Sequence, residues 1–83
     1  MSYEPTSVST SPRGHVAVGG ASDNKVHLYE LKGTQLEPMK ELDHLGGVTD
    51  VAYSPDDNYL VACDAHRKVV LYSVPEYKVS VFV

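Results

Sequence analysis

Residues Val48 to Asp57 read VTDVAYSPDD, a run of β-branched and aromatic residues stopped by Ser-Pro-Asp-Asp. β-Branched and aromatic side chains suit a pleated strand, and Pro, Asp and Asn favour the turn that ends it. By strict alternation Val51 and Tyr53 point one way, and Val48 and Ala52 the other. A strand with one solvated face alternates cleanly, so apolar groups on both faces predict a sheet covered on both sides.

A fainter copy, TSVSTSPRG, lies at Thr6 to Gly14. Displacing the chain by 43 residues lays Thr6, Val8, Ser11 and Pro12 on Thr49, Val51, Ser54 and Pro55. The same shift lays Lys25, Val26, Leu28 and Tyr29 on Lys68, Val69, Leu71 and Tyr72. A period of about 40 to 45 residues marks repeat architectures, four-stranded propeller blades among them.

Each copy breaks into short β-type runs. In the second they are Val48–Ser54, Tyr59–Cys63, Lys68–Val74 and Lys78–Val83, separated by turn residues. In the first they are Thr6–Thr10, Val16–Gly19 and Lys25–Leu31, with a fourth near Glu37–Leu42. Pro38 cannot donate to a ladder, so that fourth strand belongs at an edge. Turn residues recur too often for a helix of three turns. In KVVLYSV, Val69 and Leu71 oppose Val70, Tyr72 and Val74, so two faces again need cover. With no helix available, other sheets must supply it. The expected fold is all-β: two consecutive four-stranded antiparallel blades, residues 1–43 and 44–83, forming an incomplete propeller.

Composition narrows the function. The 83 residues carry a formal net charge of -4, which argues against nucleic acid and against anionic membranes. One cysteine, Cys63, excludes an intrachain disulfide and reads as a small buried residue in a reducing compartment. The opening MSYEPTSVST lacks the layout of a signal peptide, and no apolar run approaches the roughly 20 residues of a membrane span. A cytoplasmic chain is expected.

The chemistry-bearing residues form no recognisable site. His15, His27, His44 and His66 match no compact metal-ligand spacing, and His44 is expected to bond backbone between strands. Asp56-Asp57-Asn58 begins like a calcium loop but lacks the alternating ligands, the Gly and the closing Glu. Gly19-Gly20 has no Gly-Lys-Ser/Thr after it, and no local motif positions a catalytic triad. No catalytic, cofactor or metal residue is therefore expected, and the chain reads as a binding protein. Turn residues Arg13, His15, Lys32, Asp56, Asp57 and Asn58 are the candidate interaction loops, since a rigid scaffold leaves its loops free to carry function.

The stretch GGVTDVAYSPDDNYLVACDAHRKVVLYS resembles a WD-type repeat, whose inner strand ends in Ser-Pro-Asp and whose third strand closes on Val-x-Leu-Trp-Asp. Here the closing motif is Val69-Val70-Leu71-Tyr72-Ser73, and in the first copy Val26-His27-Leu28-Tyr29-Glu30. The resemblance implies a hydrogen-bonded set of His, Ser/Thr, Asp and Trp. His44 holds the His place, preceded by Asp43 rather than Gly. Asp23 fits the turn Asp of the first copy, where the second has His66 with Asp64 nearby. Val18 and Ala62 stand at the Ser/Thr positions, and Tyr29 and Tyr72 replace Trp. With the set incomplete in both copies, stability is expected to rest more on packing between blades.

The segments YEPTSVSTSP, VAVGGASDNKVHLYEL, GGVTDVAYSPD and YLVACDA are similar to WD-repeat proteins of the actin cytoskeleton. That resemblance implies a non-enzymatic, cytoskeleton-associated scaffold with actin filaments and cofilin as partners, promoting cofilin-dependent filament disassembly. The alternative is a WD-repeat scaffold for unrelated protein complexes. Open sheet faces further predict contact with other blades or self-association.

Overall fold

The computed structural model describes residues 4–82. Eight strands follow in chain order: β1 Pro5–Thr10, β2 His15–Gly20, β3 Lys25–Lys32, β4 Gln35–Asp43, β5 Val48–Tyr53, β6 Tyr59–Asp64, β7 Val69–Ser73 and β8 Lys78–Phe82. They form two four-stranded antiparallel sheets, ordered β1-β2-β3-β4 and β5-β6-β7-β8, with no helix among the described residues. The all-β, two-sheet architecture read from the sequence is the one observed. Strand ends differ from that reading by one or two residues; Val83 lies outside the described residues. β4 is an edge strand, and Pro38 pairs with Tyr29 there.

The repeat is written into the backbone. Each tight turn of one sheet has a left-handed residue matched in the other: Gly14 (φ 89) with Asp57 (φ 64), Asn24 (φ 60) with Arg67 (φ 63), Gly33 (φ 63) with Tyr77 (φ 58). Register shifts recur as well, between Pro5 and Ser7 and again between Val48 and Asp50. A second pair falls between Leu28 and Tyr29 and between Leu71 and Tyr72. β6 and β8 depart from the 43-residue shift: Pro38 pairs with Tyr29 as Val79 pairs with Tyr72, so β4 and β8 correspond at 41 residues. Val16 pairs with Tyr29 as Leu60 pairs with Tyr72, so β2 and β6 correspond at 44 residues. Asn58 is the extra residue in the turn before β6.

The first register shift corrects the simple alternation of VTDVAY. A bulge puts two residues opposite one, so Val48 returns to the face of Val51 and both are buried, while Ala52 is exposed. The two-faced pattern does hold in β7. Val70, Tyr72 and Val74 are buried on one side; on the other Val69 is exposed and Leu71 half-buried.

The core is the seam between the sheets. Ala17, Val26, Leu28 and Leu42 of the first sheet cluster with Val48, Val51, Leu60, Ala62, Val70, Tyr72, Val74 and Tyr77 of the second. Leu28, Leu60, Val26 and Val48 are its fully buried large side chains. Packing is tight enough to require glycine twice. A Cβ on Gly19 would stand 2.8 Å from Val48 Cγ1, and one on Gly47 would stand 2.7 Å from the Ala21 carbonyl oxygen. A smaller cluster, Val16 and Val18 with Tyr29, occupies the far face of the first sheet. Cys63 lies on the far face of the second and is half-buried, not buried as expected, because among the described residues no sheet lies against that face.

Gly47 gives a direct test of the seam. A methyl group there meets backbone, which cannot swing aside as a side chain can, so Gly47→Ala is expected to cost about 1–3 kcal/mol of stability. Gly33→Asn, at φ 63 with open space around it, is expected to change stability by less than about 0.5 kcal/mol. Urea denaturation of both variants checks the contrast.

Candidate functional site

The seam is closed by hydrogen bonds as well as by apolar burial. A strand at the edge of a sheet offers unpaired N–H groups, and those of β5 meet side-chain hydroxyls from β1. Val51 N donates to Ser7 Oγ at 3.1 Å and Tyr53 N to Ser9 Oγ at 3.1 Å. Ser7 Oγ in turn donates to Asp50 Oδ1 at 2.9 Å. Ser7 and Ser9 act together because alternate residues of a strand share a face. The Thr6 hydroxyl is shared between Gly19 O at 3.1 Å and Val48 O at 2.6 Å.

At one end of the seam the first turns of the two sheets are clamped together. Arg13 Nε lies 2.8 Å from Asp57 Oδ2, and its Nη2 donates to Asp57 O at 3.3 Å. Asp57 Oδ1 is buried without a hydrogen-bond partner, so the guanidinium is what offsets the desolvation of that carboxylate. Below the clamp, Tyr77 Oη stands 2.7 Å from both His15 Nδ1 and Tyr53 Oη. Burial pushes the phenols of Tyr53 and Tyr77 above their ordinary value, which keeps both neutral and able to donate.

The other end holds a second polar network. His44 Nδ1 lies 2.9 Å from Asp64 Oδ2, and Tyr72 Oη lies 3.0 Å from His44 Nε2. The His44 and Asp64 side chains are 1% and 0% exposed. An ionised carboxylate only accepts, so in the neutral imidazole Nδ1 carries the proton and Nε2 accepts from the Tyr72 hydroxyl. Asp64 Oδ1 also accepts from His66 N at 2.9 Å and Lys68 N at 3.2 Å. Burial alone would raise the Asp64 carboxyl; the bonds from His44, Lys68 and His66 outweigh it and hold the group below its ordinary value. Beside this network a groove of about 490 Å³ is lined by Leu45, Val70, Tyr72 and Val79 together with Asp43, His44 and Lys68.

The sequence candidates are thus distributed over several places. His44 and Tyr72 meet in one network, whereas Asp23 bonds His27 Nε2 at 2.6 Å and Lys25 N at 3.3 Å within the first sheet. Tyr29 packs with Val16 and Val18 on that sheet's far face. The His44 ring bonds two side chains rather than backbone, and its acid is Asp64, two residues before the turn position held by His66. His15 is no loop residue: it opens β2 and is buried, because Tyr77 covers it. Arg13 and Asp57 meet across the seam. Asp56 and Asn58 are exposed, with Asn58 N donating to Asp56 Oδ1 at 3.1 Å inside their own turn. Lys32 is exposed at the end of β3, 3.5 Å from Glu37 and 3.8 Å from Glu30. Ser7 and Ser9 escaped the sequence reading; their two-residue spacing opposite a strand edge was the available signal. No group of three or more His, Cys, Asp or Glu that could hold a metal occurs among the described residues.

A family model described as WD domain, G-beta repeat, matches residues 36–73. The chain belongs to the WD-repeat family. The matched WD repeat takes in most of β4 and then β5, β6 and β7. It therefore begins on the last strand of one sheet and ends on the third strand of the next, with the backbone crossing the seam inside the repeat. The chain is 65% identical over 79 residues, 94% of its length, to actin-interacting protein 1 of Drosophila melanogaster. It is 46% identical over 92% of its length to WD repeat-containing protein 1 of Gallus gallus, and 43% identical over 89% to actin-interacting protein 1 of Caenorhabditis elegans. The chain spans only 12–13% of the length of these relatives. The crystal structure of Saccharomyces cerevisiae Sqt1 superimposes on 98% of the chain with a TM-score of 0.87 at 18% identity, using 23% of the Sqt1 chain. That likeness shows the fold.

The Asp64 network predicts how the WD-repeat chain responds to acid. Its carboxyl has a lower pKa folded than unfolded, so the unfolded chain binds the proton better. The stability it contributes is present above the ordinary carboxyl pKa of about 3.9 and is lost as pH falls through the folded value. Asp64→Asn is expected to lose about 1–3 kcal/mol at neutral pH and to flatten the acid limb of the stability profile. Urea midpoints taken from pH 7 down to pH 3 read both effects.

Proposed function

We propose that the chain is part of a non-enzymatic, actin-binding WD-repeat scaffold that promotes cofilin-dependent disassembly of actin filaments. The observation that carries this reading is 65% identity, over 94% of the chain, to a protein named actin-interacting protein 1. Its partners are then actin filaments and cofilin, and its place is the cytoskeleton of the cytoplasm. The seam supports such a role physically. It sets the turns bearing Arg13 and Asp57 side by side at one end, where the exposed Asp56 and Asn58 are held for a partner.

The test uses the complete gene product that contains these residues. It is expected to pellet with cofilin-decorated actin filaments and to speed their loss of polymer, with a weaker effect on bare filaments. A folded protein that leaves cofilin-decorated filaments unchanged, in both pelleting and disassembly, overturns the proposal.

A further inference from the structure

The groove beside His44 is built inside the seam. Asp43 ends β4, and His44 and Leu45 lie in the segment that crosses to the second sheet. Val70, Tyr72 and Val79 stand on the face that the second sheet turns to the first. The floor is buried, with Val70 and Tyr72 5% and 4% exposed, whereas the rim is apolar and open, with Leu45 and Val79 73% and 56% exposed. Lys68 lines the groove from the turn between β6 and β7. The His66 ring of that turn lies against Gly46, next to Leu45, so turn and crossing segment are held together. A volume of about 490 Å³ with an apolar lining and a few charged groups suits a ligand.

The turn supplies a second observation. Ser22-Asp23-Asn24-Lys25 of the first sheet becomes Ala65-His66-Arg67-Lys68 in the second. Asn24 and Arg67 hold the same left-handed position, at φ 60 and φ 63. Asparagine tolerates that conformation, whereas arginine is held there at a conformational cost. The other left-handed residues of the second sheet have roles inside the seam: Asp57 binds Arg13, and Tyr77 covers His15 and reaches Tyr53. Arg67 has none. It is exposed and forms no ion pair among the described residues. Asp43, by contrast, is the register partner of Lys25 across β3 and β4, an opposite-charge pair. A chain of net charge -4 thus keeps an unanswered arginine beside an apolar groove.

We propose that this groove docks an acidic protein segment. One large apolar side chain of the segment enters between Leu45 and Val79 onto Val70 and Tyr72, and a neighbouring carboxylate pairs with Arg67. The apolar anchor supplies the affinity and the charge supplies orientation. Asp43, also in the lining, disfavours a carboxylate on its own side and so fixes the direction of the segment. The site lies at the opposite end of the seam from the turns of Arg13 and Asp57, so it goes beyond the surface invoked in the proposed function.

The test uses the complete gene product without actin or cofilin, so it stands or falls apart from the proposed function. Short random peptides displayed on phage are selected on the wild-type protein and counter-selected on a Leu45→Asp variant, whose sheets are checked by circular dichroism. The surviving peptides are expected to share a leucine, isoleucine, methionine or phenylalanine next to an aspartate or glutamate. Labelled and read by fluorescence anisotropy, they should bind the Leu45→Asp variant about tenfold more weakly. Arg67→Glu should weaken them to a similar degree, and a lysine in place of the peptide's acid should restore binding to that variant alone. Arg67→Asn separates binding from folding. It is expected to weaken the peptides about threefold while leaving the melting midpoint equal or higher, because asparagine suits φ 63. No Leu45-dependent peptide, peptides without an acidic residue, or binding indifferent to Arg67→Glu overturns the proposal. So does Arg67-dependent binding of phosphatidylserine vesicles in place of peptides, which would make the groove a membrane contact.

Discussion

An apolar sheet face must be removed from water, and this constraint organises the seam between the two sheets. The contact that meets it is Val48 against Gly19, where a single added carbon would come to 2.8 Å. Around that contact the first sheet presents small or flat positions, Ala17 and Gly19, and the second presents Leu60, Tyr72 and Tyr77. Neither sheet has a core of its own comparable to this seam; the cluster of Val16, Val18 and Tyr29 is small by comparison. Stability therefore belongs to the pair of sheets, because each supplies the apolar surface that removes the other from water.

Burying the seam creates a polar problem that the side chains must solve. The first strand of a sheet presents N–H groups sideways, and an unsatisfied buried donor costs about as much as a lost hydrogen bond. Ser7 and Ser9 accept those of Val51 and Tyr53 without adding a strand, so two sheets can face each other without merging into one. The same economy of groups appears at both ends. Asp64 satisfies a histidine and two turn amides with two oxygens. Arg13 answers a carboxylate that would otherwise sit half-desolvated beside the phenols of Tyr53 and Tyr77. Tyr72 in place of a tryptophan keeps a hydroxyl within 3.0 Å of His44, which lets the network close with no Ser or Thr at Ala62.

The repeat was legible because Ser-Pro turns and the Val-x-Leu-Tyr strands survive the 43-residue shift, and from it followed two four-stranded sheets with Pro38 on an edge. The bulge at Val48 was not legible. One extra residue changes which side chains share a face without changing composition, and only pairing with Cys63 and Asp64 shows it. His44 stood out through its place before the strand, but its acid did not. Asp64 is 20 residues away in sequence, and the turn geometry that aims it, with Arg67 left-handed, is invisible in a string of letters. His15 read as a turn residue because Arg13-Gly14 precedes it; what buries it is Tyr77, 62 residues later. Local chemistry fixes turns and strands, whereas the partners of a buried polar group are set by which sheet lands on which.

The stagger between repeat and sheet ties these features to function. A WD repeat that runs from β4 to β7 includes the crossing from one sheet to the next, so the family's sequence unit encodes a seam rather than a sheet. That is why the polar networks sit where they do. His44 lies in the crossing segment itself, with its amide donating to Asn24 O of the first sheet at 2.8 Å and its ring bonded to Asp64 and Tyr72 of the second. A surface built from the turns at Arg13 and Asp57 needs both sheets in register to exist at all. A substitution deep in the seam, at Gly19 or Gly47, should therefore disturb loops it never touches. In such a molecule binding and folding are not separable properties of different residues: the seam that removes apolar surface from water is also what brings two turns together as one surface.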